Sequence, residues 1–200
     1  MRNASWIGVP SRPPVPRRAR SRLAAFSLTE LMIVIAIIGL INGLTIAFTG
    51  RAWQRERINS VAVGLAGWLE EVRTNAMRET SETPTAGGCV VSVSSLVNAG
   101  ADTALASVAP TTCASSATFR IPGVSGSSDR YDSATTNATT ITFTPRGSVT
   151  NSVDGVVRIF LRGSRELRCV RVSAILGLVR VGSDSSATSS AGTCTNDVRF

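Results

Sequence analysis

The chain has 200 residues, which is enough for one domain and an additional hydrophobic segment. It contains 21 arginines, no lysine and no histidine, and this excludes Ser-His-Asp and Cys-His catalysis, Ser-Lys dyads, histidine-ligated metals and the P-loop lysine. No spacing of carboxylates indicates acid–base catalysis. We therefore interpret the protein as a non-enzyme and expect neither a cofactor nor a bound metal.

Residues 1–25 form a basic, proline-rich leader. They contain six arginines, four prolines and no acid, and proline at this density prevents a helix. Without the leader the formal charge falls from +8 to +2, so the high charge of the whole chain is weak evidence for nucleic-acid binding. By the positive-inside rule the leader indicates the cytoplasmic side of a membrane.

A long apolar segment follows the leader. Between Leu31 and Phe48 the only polar side chains are Asn42 and Thr45. A membrane-spanning helix needs about 20 mostly apolar residues, so the pattern predicts a transmembrane helix at about 28–48. Glycines four residues apart within it permit close approach of another helix; these are Gly39 and Gly43.

Glu30 is the only charged residue in the first turns of this segment. One interpretation is a favourable acid at the positive end of a helix dipole. A secretory signal peptide or a plain anchor is another interpretation of the segment as a whole. A signal peptide has its small-residue cleavage site after the apolar core, whereas here Ala24 and Ala25 precede it.

The segment Ala25-Phe26-Ser27-Leu28-Thr29-Glu30-Leu31 resembles the type IV prepilin and pseudopilin signature G-F-[ST]-L-x-E-L. It agrees at six of seven positions, with Ala25 in place of glycine. The resemblance implies that prepilin peptidase cleaves between Ala25 and Phe26 and N-methylates Phe26. It also implies that the N-terminal helix packs against other major and minor pilins or pseudopilins. Glu30 would then pair with the cationic amine of Phe26 in a neighbouring subunit and set the axial register.

Residues 51–78 have the pattern of an amphipathic helix. We expect one helix over 26–78, ended by the turn signals between Ser81 and Gly88, with its apolar stripe packed on a globular domain. A coiled-coil partner is less well supported because Gly64 and Gly67 interrupt the pattern. The stripe consists of Trp53, Ile58, Val61, Leu65, Trp68, Val72 and Ala76.

Residues 79–200 have the composition of short strands separated by turn-rich spacers. The segments 98–117, 122–138 and 182–197 are expected to be loops. The predicted fold class is α+β: a long N-terminal helix, membrane-spanning in its first half and amphipathic in its second, packed on a C-terminal antiparallel β-sheet domain. The predicted strands are Cys89–Val97, Thr118–Ile121, Thr139–Phe143, Val156–Leu161, Leu167–Ser173 and Gly177–Val181.

Four cysteines lie beyond the apolar segment: Cys89, Cys113, Cys169 and Cys194. No C-x-x-C is present, so a zinc site is poorly supported, and an even number in a translocated domain predicts two disulfides with three connectivities open. We favour the sequential pairing because each bond closes a modest loop, at about 3 kcal/mol each in the chain-entropy model. Free buried thiols are the alternative.

The C-terminal half contains softer similarities to the GspH/FimT branch of the pseudopilins. They are an F-x-P-x-G turn at 143–147, two final strands and a segment at 177–180 similar to Gly-Arg-x-Arg. The resemblance implies a minor subunit of a type II secretion pseudopilus or a type IV pilus, one that helps to initiate filament assembly. It implies a single-pass protein of the bacterial inner membrane with its C-terminal domain in the periplasm.

Some FimT-like members bind DNA for uptake in natural transformation through arginines of the Gly-Arg-x-Arg segment. Here Leu178 stands at the position of the first arginine, and only Arg180 matches an arginine of the segment. Together with Arg168 and Arg171 it could contact phosphates. We favour the alternative of a solvated strand face, because no exposed aromatic run accompanies these arginines for base stacking.

Overall fold

The computed structural model describes residues 27–78, 88–123, 126–194 and 198–199, without the side chains of residues 44–49, 51 and 198–199. The leader, the predicted cleavage site between Ala25 and Phe26, and most of the predicted helix end lie outside these residues. The chain divides into two compact units, Met1–Gly43 and Leu44–Phe200. Helical residues form α1, Leu28–Arg78, and the boundary between the units falls within it.

The predicted fold class was wrong. The helical residues 28–43 belong to the first unit and the helical residues 52–78 to the second, and the β domain contains two sheets. Within the described part of the chain, no helix combines the length and the apolar character that crossing a membrane requires.

The predicted location was therefore also wrong. A single-pass inner-membrane protein with a periplasmic C-terminal domain requires a spanning helix at about 28–48, and the described residues contain none. The prediction relied on hydropathy along residues 28–48 as one continuous segment, whereas the described helical residues do not provide a segment of the required length and apolar character.

The described residues of the second unit contain ten strands in two antiparallel sheets. Four strands form one sheet in the order β4-β3-β1-β6, and six form the other in the order β10-β9-β8-β7-β5-β2. The strands are β1 (Cys89–Val93), β2 (Leu96–Ala99), β3 (Ala104–Ala109), β4 (Thr118–Arg120), β5 (Tyr131–Thr136), β6 (Thr140–Phe143), β7 (Gly155–Leu161), β8 (Leu167–Val172), β9 (Val179–Asp184) and β10 (Val198–Arg199).

Two strands lie in segments that were predicted to be loops. β3 occupies part of 98–117 and β5 part of 122–138, and the predicted strand Cys89–Val97 is β1 followed by β2, in different sheets. β9 also extends three residues into the predicted loop 182–197. The sequences of β3 and β5 are rich in Ala, Ser and Thr, so their pairing depends on neighbouring strands more than on their own β-propensity.

The core of the second unit lies between the helix and both sheets. From Ile58 to Ala76 the helix buries one stripe of side chains, in one cluster with residues of both sheets. Trp53 was predicted to belong to this stripe and does not, since it is 61% exposed. Trp68 is buried, donates its indole N–H to the carbonyl of Ser116 at 3.0 Å and packs near Phe119.

The prediction of two disulfides is confirmed. Cys89 pairs with Cys113 and Cys169 pairs with Cys194, which is the sequential pairing. The first bond joins β1 to the short 3-10 helix Thr111–Cys113 beside α1, where Asn75 donates to the carbonyl of Cys113. The second joins β8 to the segment after β9.

Candidate functional site

The first unit presents an apolar helical surface. In residues 28–43 ten large apolar side chains are between 46% and 73% exposed, and they lie on all sides of the helix. Near the C-terminal end of this stretch, Asn42 donates its side-chain amide to the carbonyl of Ile38 at 2.9 Å. The exposed residues are Leu28, Leu31, Met32, Ile33, Val34, Ile35, Ile37, Ile38, Leu40 and Ile41.

Glu30 is the one charged residue on this surface. It lies in the first turn of α1, where the carbonyl of Ser27 accepts from the backbone N–H of Glu30 at 3.0 Å and of Leu31 at 3.2 Å. Among the residues described, no ion pair includes Glu30. Its carboxylate is therefore available to a cation outside the described chain.

The glycines predicted to form a helix-approach face are open. A Cβ added at Gly39 or at Gly43 would meet no described atom within 4 Å. The predicted processing residues Ala25 and Phe26 lie outside the described residues, so the cleavage site has no structural description.

Two of the three predicted DNA-contacting arginines are neighbours on one sheet face. The register of β8 and β9 places Arg171 directly opposite Arg180. Both alternate with valines of the helix-side core, Val170, Val172 and Val179, so both lie on the other face of the six-stranded sheet, which we call the outer face. Like charges directly opposite each other are unfavourable in a sheet.

The third predicted arginine, Arg168, lies on the opposite face. It shares the helix side with Val170, and its guanidinium is 3.5 Å from a carboxylate oxygen of Glu166. Glu166 is buried and also accepts from Arg55 of α1 at 2.6 Å. The assignment of Arg168 to the same anion site as Arg171 and Arg180 was therefore wrong, because strand alternation turns its side chain toward the helix.

Sequence reasoning missed Arg158, which belongs to the outer face. It lies on β7 opposite Cys169, and Val156 two residues earlier lies opposite Arg171. Val157 and Ile159 on either side of it point into the helix-side core. The alternation Val157-Arg158-Ile159 indicates that Arg158 lies on the face opposite to the two apolar residues. That Arg158 also lies near Arg171 follows only from the register of the strands. We call Arg158, Arg171 and Arg180 the arginine face.

Two carboxylates of the outer face, those of Asp132 and Asp184, accept hydrogen bonds from residues outside the arginine face. Asp132 accepts from Arg162 at 2.8 Å. Asp184 accepts from the hydroxyl and the backbone N–H of Ser186, and these hydrogen bonds hold its pKa below the usual value. Within the described residues Arg158 and Arg180 form no ion pair, and the Nε of each is buried without a hydrogen-bond acceptor.

The arginine face adjoins the described end of the chain. The backbone of β10 pairs with β9 so that Arg199 lies opposite Arg180. A cavity of about 160 Å³ lies beside the face and is lined by Arg158, Arg171 and the disulfide Cys169–Cys194, among others. The geometry suits contacts with several negative charges across the outer face of the sheet. Comparison of the chain with protein-family models, with curated proteins and with solved structures found no match.

Proposed function

We propose that this chain is a minor pilin or pseudopilin, a structural subunit of a type II secretion pseudopilus or a type IV pilus that helps to initiate filament assembly. The observation that carries the proposal is the helical surface of residues 28–43, which exposes apolar side chains on all sides and has Glu30, near its start, as its one charged residue. The prepilin-like sequence Ala25–Leu31 supports the same proposal.

An apolar surface of this kind has to be covered by something other than water, because contiguous exposed apolar patches mark interaction sites. Helices from other subunits of the filament are the proposed cover. Gly39 and Gly43 leave open space for close approach by a neighbouring helix. Asn42 donates one N–H of its side-chain amide to the helix backbone, which lowers the cost of its burial in an apolar contact.

Glu30 has a specific role in this proposal. A carboxylate in an apolar contact is costly unless it is paired. The amine of Phe26 that prepilin peptidase would expose is the proposed partner, and it would come from a neighbouring subunit. Pairing of these two groups would fix the axial position of one subunit against the next, because only one register brings them together.

Processing is the first test of the proposal. The full chain in a neutral detergent is incubated with a prepilin peptidase, and the product is analysed by mass spectrometry. We expect loss of residues 1–25 and an N-methylated Phe26. The variant Ala25→Gly, which restores the residue of the signature, should be cut at least as fast, whereas Ala25→Trp should not be cut. A wild-type chain that stays uncut under conditions that process a known prepilin would contradict the proposal.

A second candidate function is binding of DNA through the arginine face. It is favoured by the cross-strand pair Arg171 and Arg180, two positive side chains that the strand register places opposite each other on one face of the sheet. Phosphates would relieve this repulsion by charge-assisted hydrogen bonds. Contacts of this kind are made to the phosphate backbone and are independent of base sequence.

The salt dependence of binding tests this second function. The full chain in neutral detergent is titrated with a labelled DNA duplex over a series of salt concentrations. Replacing Arg171 or Arg180 with alanine should reduce the slope of log affinity against log salt by about 0.9 each, the value for one phosphate contact. Arg120→Ala removes an exposed arginine from the other sheet and serves as the control, with no change expected. Equal slopes for all four proteins would exclude the arginine face as the DNA site.

A further inference from the structure

The segment after β9, residues 185–194, crosses the outer face of the six-stranded sheet, and we call it the strap. The disulfide from Cys194 to Cys169 fixes its far end to β8. Ala187 packs with Phe160 and Leu167 in a second, smaller apolar cluster on this face. The strap is thus attached at two points, one covalent and one apolar.

The strap holds the side chain of Arg158. One terminal nitrogen of the guanidinium donates to the carbonyls of Ala191 and Gly192, at 3.0 Å each, and the other donates to the hydroxyl of Thr136. All of these acceptors are neutral. The remaining nitrogen, Nε, is buried and has no acceptor among the described atoms.

This arrangement satisfies Arg158 only in part. Hydrogen bonds from a guanidinium to neutral carbonyls are weaker than those to a phosphate, and a buried donor without an acceptor opposes the closed state. The cavity of about 160 Å³ between the strap and the sheet is lined by Arg158 and Arg171 together with Thr193 of the strap. An anion that reached this place would therefore compete with the carbonyls of the strap.

We infer that Arg158 is a third phosphate-contacting residue of the arginine face and that the strap withholds it. With the strap closed, Arg171 and Arg180 contact the polyanion. With the strap lifted, the guanidinium of Arg158 leaves the carbonyls of Ala191 and Gly192 and adds a contact. The inference rests on the second candidate function, binding of the phosphodiester backbone of DNA.

Two variants lift the strap by different routes. Cys169→Ser with Cys194→Ser removes the covalent attachment. Gly192→Ala leaves the disulfide in place, but its Cβ would lie 3.0 Å from the side chain of Leu167 on β8, which disfavours the closed position of the strap on the sheet. Each is also made together with Arg158→Ala, and circular dichroism confirms that every protein is folded.

Two readouts separate the strap from DNA binding. The first is modification of arginines by phenylglyoxal, located by mass spectrometry in the full chain in neutral detergent. We expect the labelling of Arg158 to rise several-fold in both strap variants, whereas that of Arg120 stays constant. The second is the salt dependence of duplex binding. The slope of log affinity against log salt should become steeper by about 0.9, which is roughly an additional threefold loss of affinity between 50 and 200 mM salt. Arg158→Ala should abolish this increase in slope.

The outcomes are distinguishable. Unchanged labelling of Arg158 in both folded variants would overturn the inference, whatever the result of the DNA-binding measurement. Increased labelling with an unchanged salt slope, in proteins that bind the duplex, would overturn the role of Arg158 as a phosphate contact. If neither the wild type nor any variant binds the duplex, the second candidate function fails and the inference fails with it.

Discussion

At the scale of single residues, Tyr131 shows how burial and charge act on one group. It is the only tyrosine in the chain and its side chain is buried. Burial is the main cause that raises its pKa, and the charge of Asp129 raises it further. Arg57 forms an ion pair with Asp129 and acts in the opposite direction.

We therefore expect a high-pH transition that belongs to this residue. Because the pKa of Tyr131 is raised in the folded state, its contribution to stability is fully present below the unfolded pKa of about 10 and is lost as the pH rises above it. Tyrosinate absorbance should titrate above the midpoint of free tyrosine, and Arg57→Ala should move the midpoint higher. The variant Tyr131→Phe should lose less stability above pH ~10 than the wild type. A midpoint at or below that of free tyrosine would contradict the account.

Arginines of this protein have different roles that depend on which face they occupy. Arg168 contacts a buried Glu166 on the helix side, whereas Arg171, three residues later, lies on the outer face opposite Arg180. Strand alternation alone separates them. A count of arginines in residues 146–200 could not distinguish these roles, because the number of charges does not show on which face of the sheet each side chain lies.

At the scale of elements, two turns dock on the helix. Arg73 donates to the carbonyls of Gly147 and Leu176, in the turns after β6 and β8. Both turns contain a glycine with positive φ, Gly147 at 72° and Gly177 at 63°. A Cβ at Gly177 would lie 2.7 Å from the carbonyl oxygen of Gly147, so the two turns also pack tightly against each other.

Gly177→Ala should destabilise the second unit strongly. The variant places a side chain at a positive φ, which costs about 1–2 kcal/mol, and forces a clash with the neighbouring turn, which adds about 1–3 kcal/mol. Gly163→Ala is the matched control, because Gly163 has a φ of 80° and nothing within 4 Å of the added Cβ. Denaturant unfolding should show the larger loss for Gly177→Ala. Equal losses for the two variants would mean that turn-to-turn packing contributes nothing.

The sequence predicted those elements whose signal is local. Helical spacing identified the buried stripe from Ile58 to Ala76, and the Val-rich strands β7 and β8 were placed within a residue or two. β3 and β5 were missed because Ala, Ser and Thr pair in a sheet only when neighbouring strands supply the register. Cysteine separations of 24 and 25 residues favoured the sequential disulfides that the structure contains.

The candidate site was predictable only in part. Arg171 and Arg180 were identified from composition and a motif, but their direct opposition follows from the register of β8 and β9. Arg158 needed the register of a further strand. Register depends on loop lengths and on burial of one face, and neither is visible in a list of charged residues.

At the scale of the whole molecule, the two units differ in what their surfaces require. The second unit buries its apolar residues in its own core between helix and sheets and contains two disulfides. The first unit exposes nearly all of its large apolar side chains in residues 28–43. This contrast is consistent with the proposed role as a filament subunit. In such a subunit one part remains folded in water and the other is covered by neighbouring subunits.

The most direct test of the proposed function is the incorporation of Glu30→Ala into filaments. Wild type, Glu30→Ala and Glu56→Ala are expressed with a pilus or pseudopilus machinery, and sheared filaments are analysed for the chain. We predict that all three are processed to Phe26, and that wild type and Glu56→Ala enter filaments whereas Glu30→Ala does not, because its helix has lost the partner of the neighbouring amine. Incorporation of Glu30→Ala at the wild-type level would contradict the proposed role of Glu30 in setting the register of subunits.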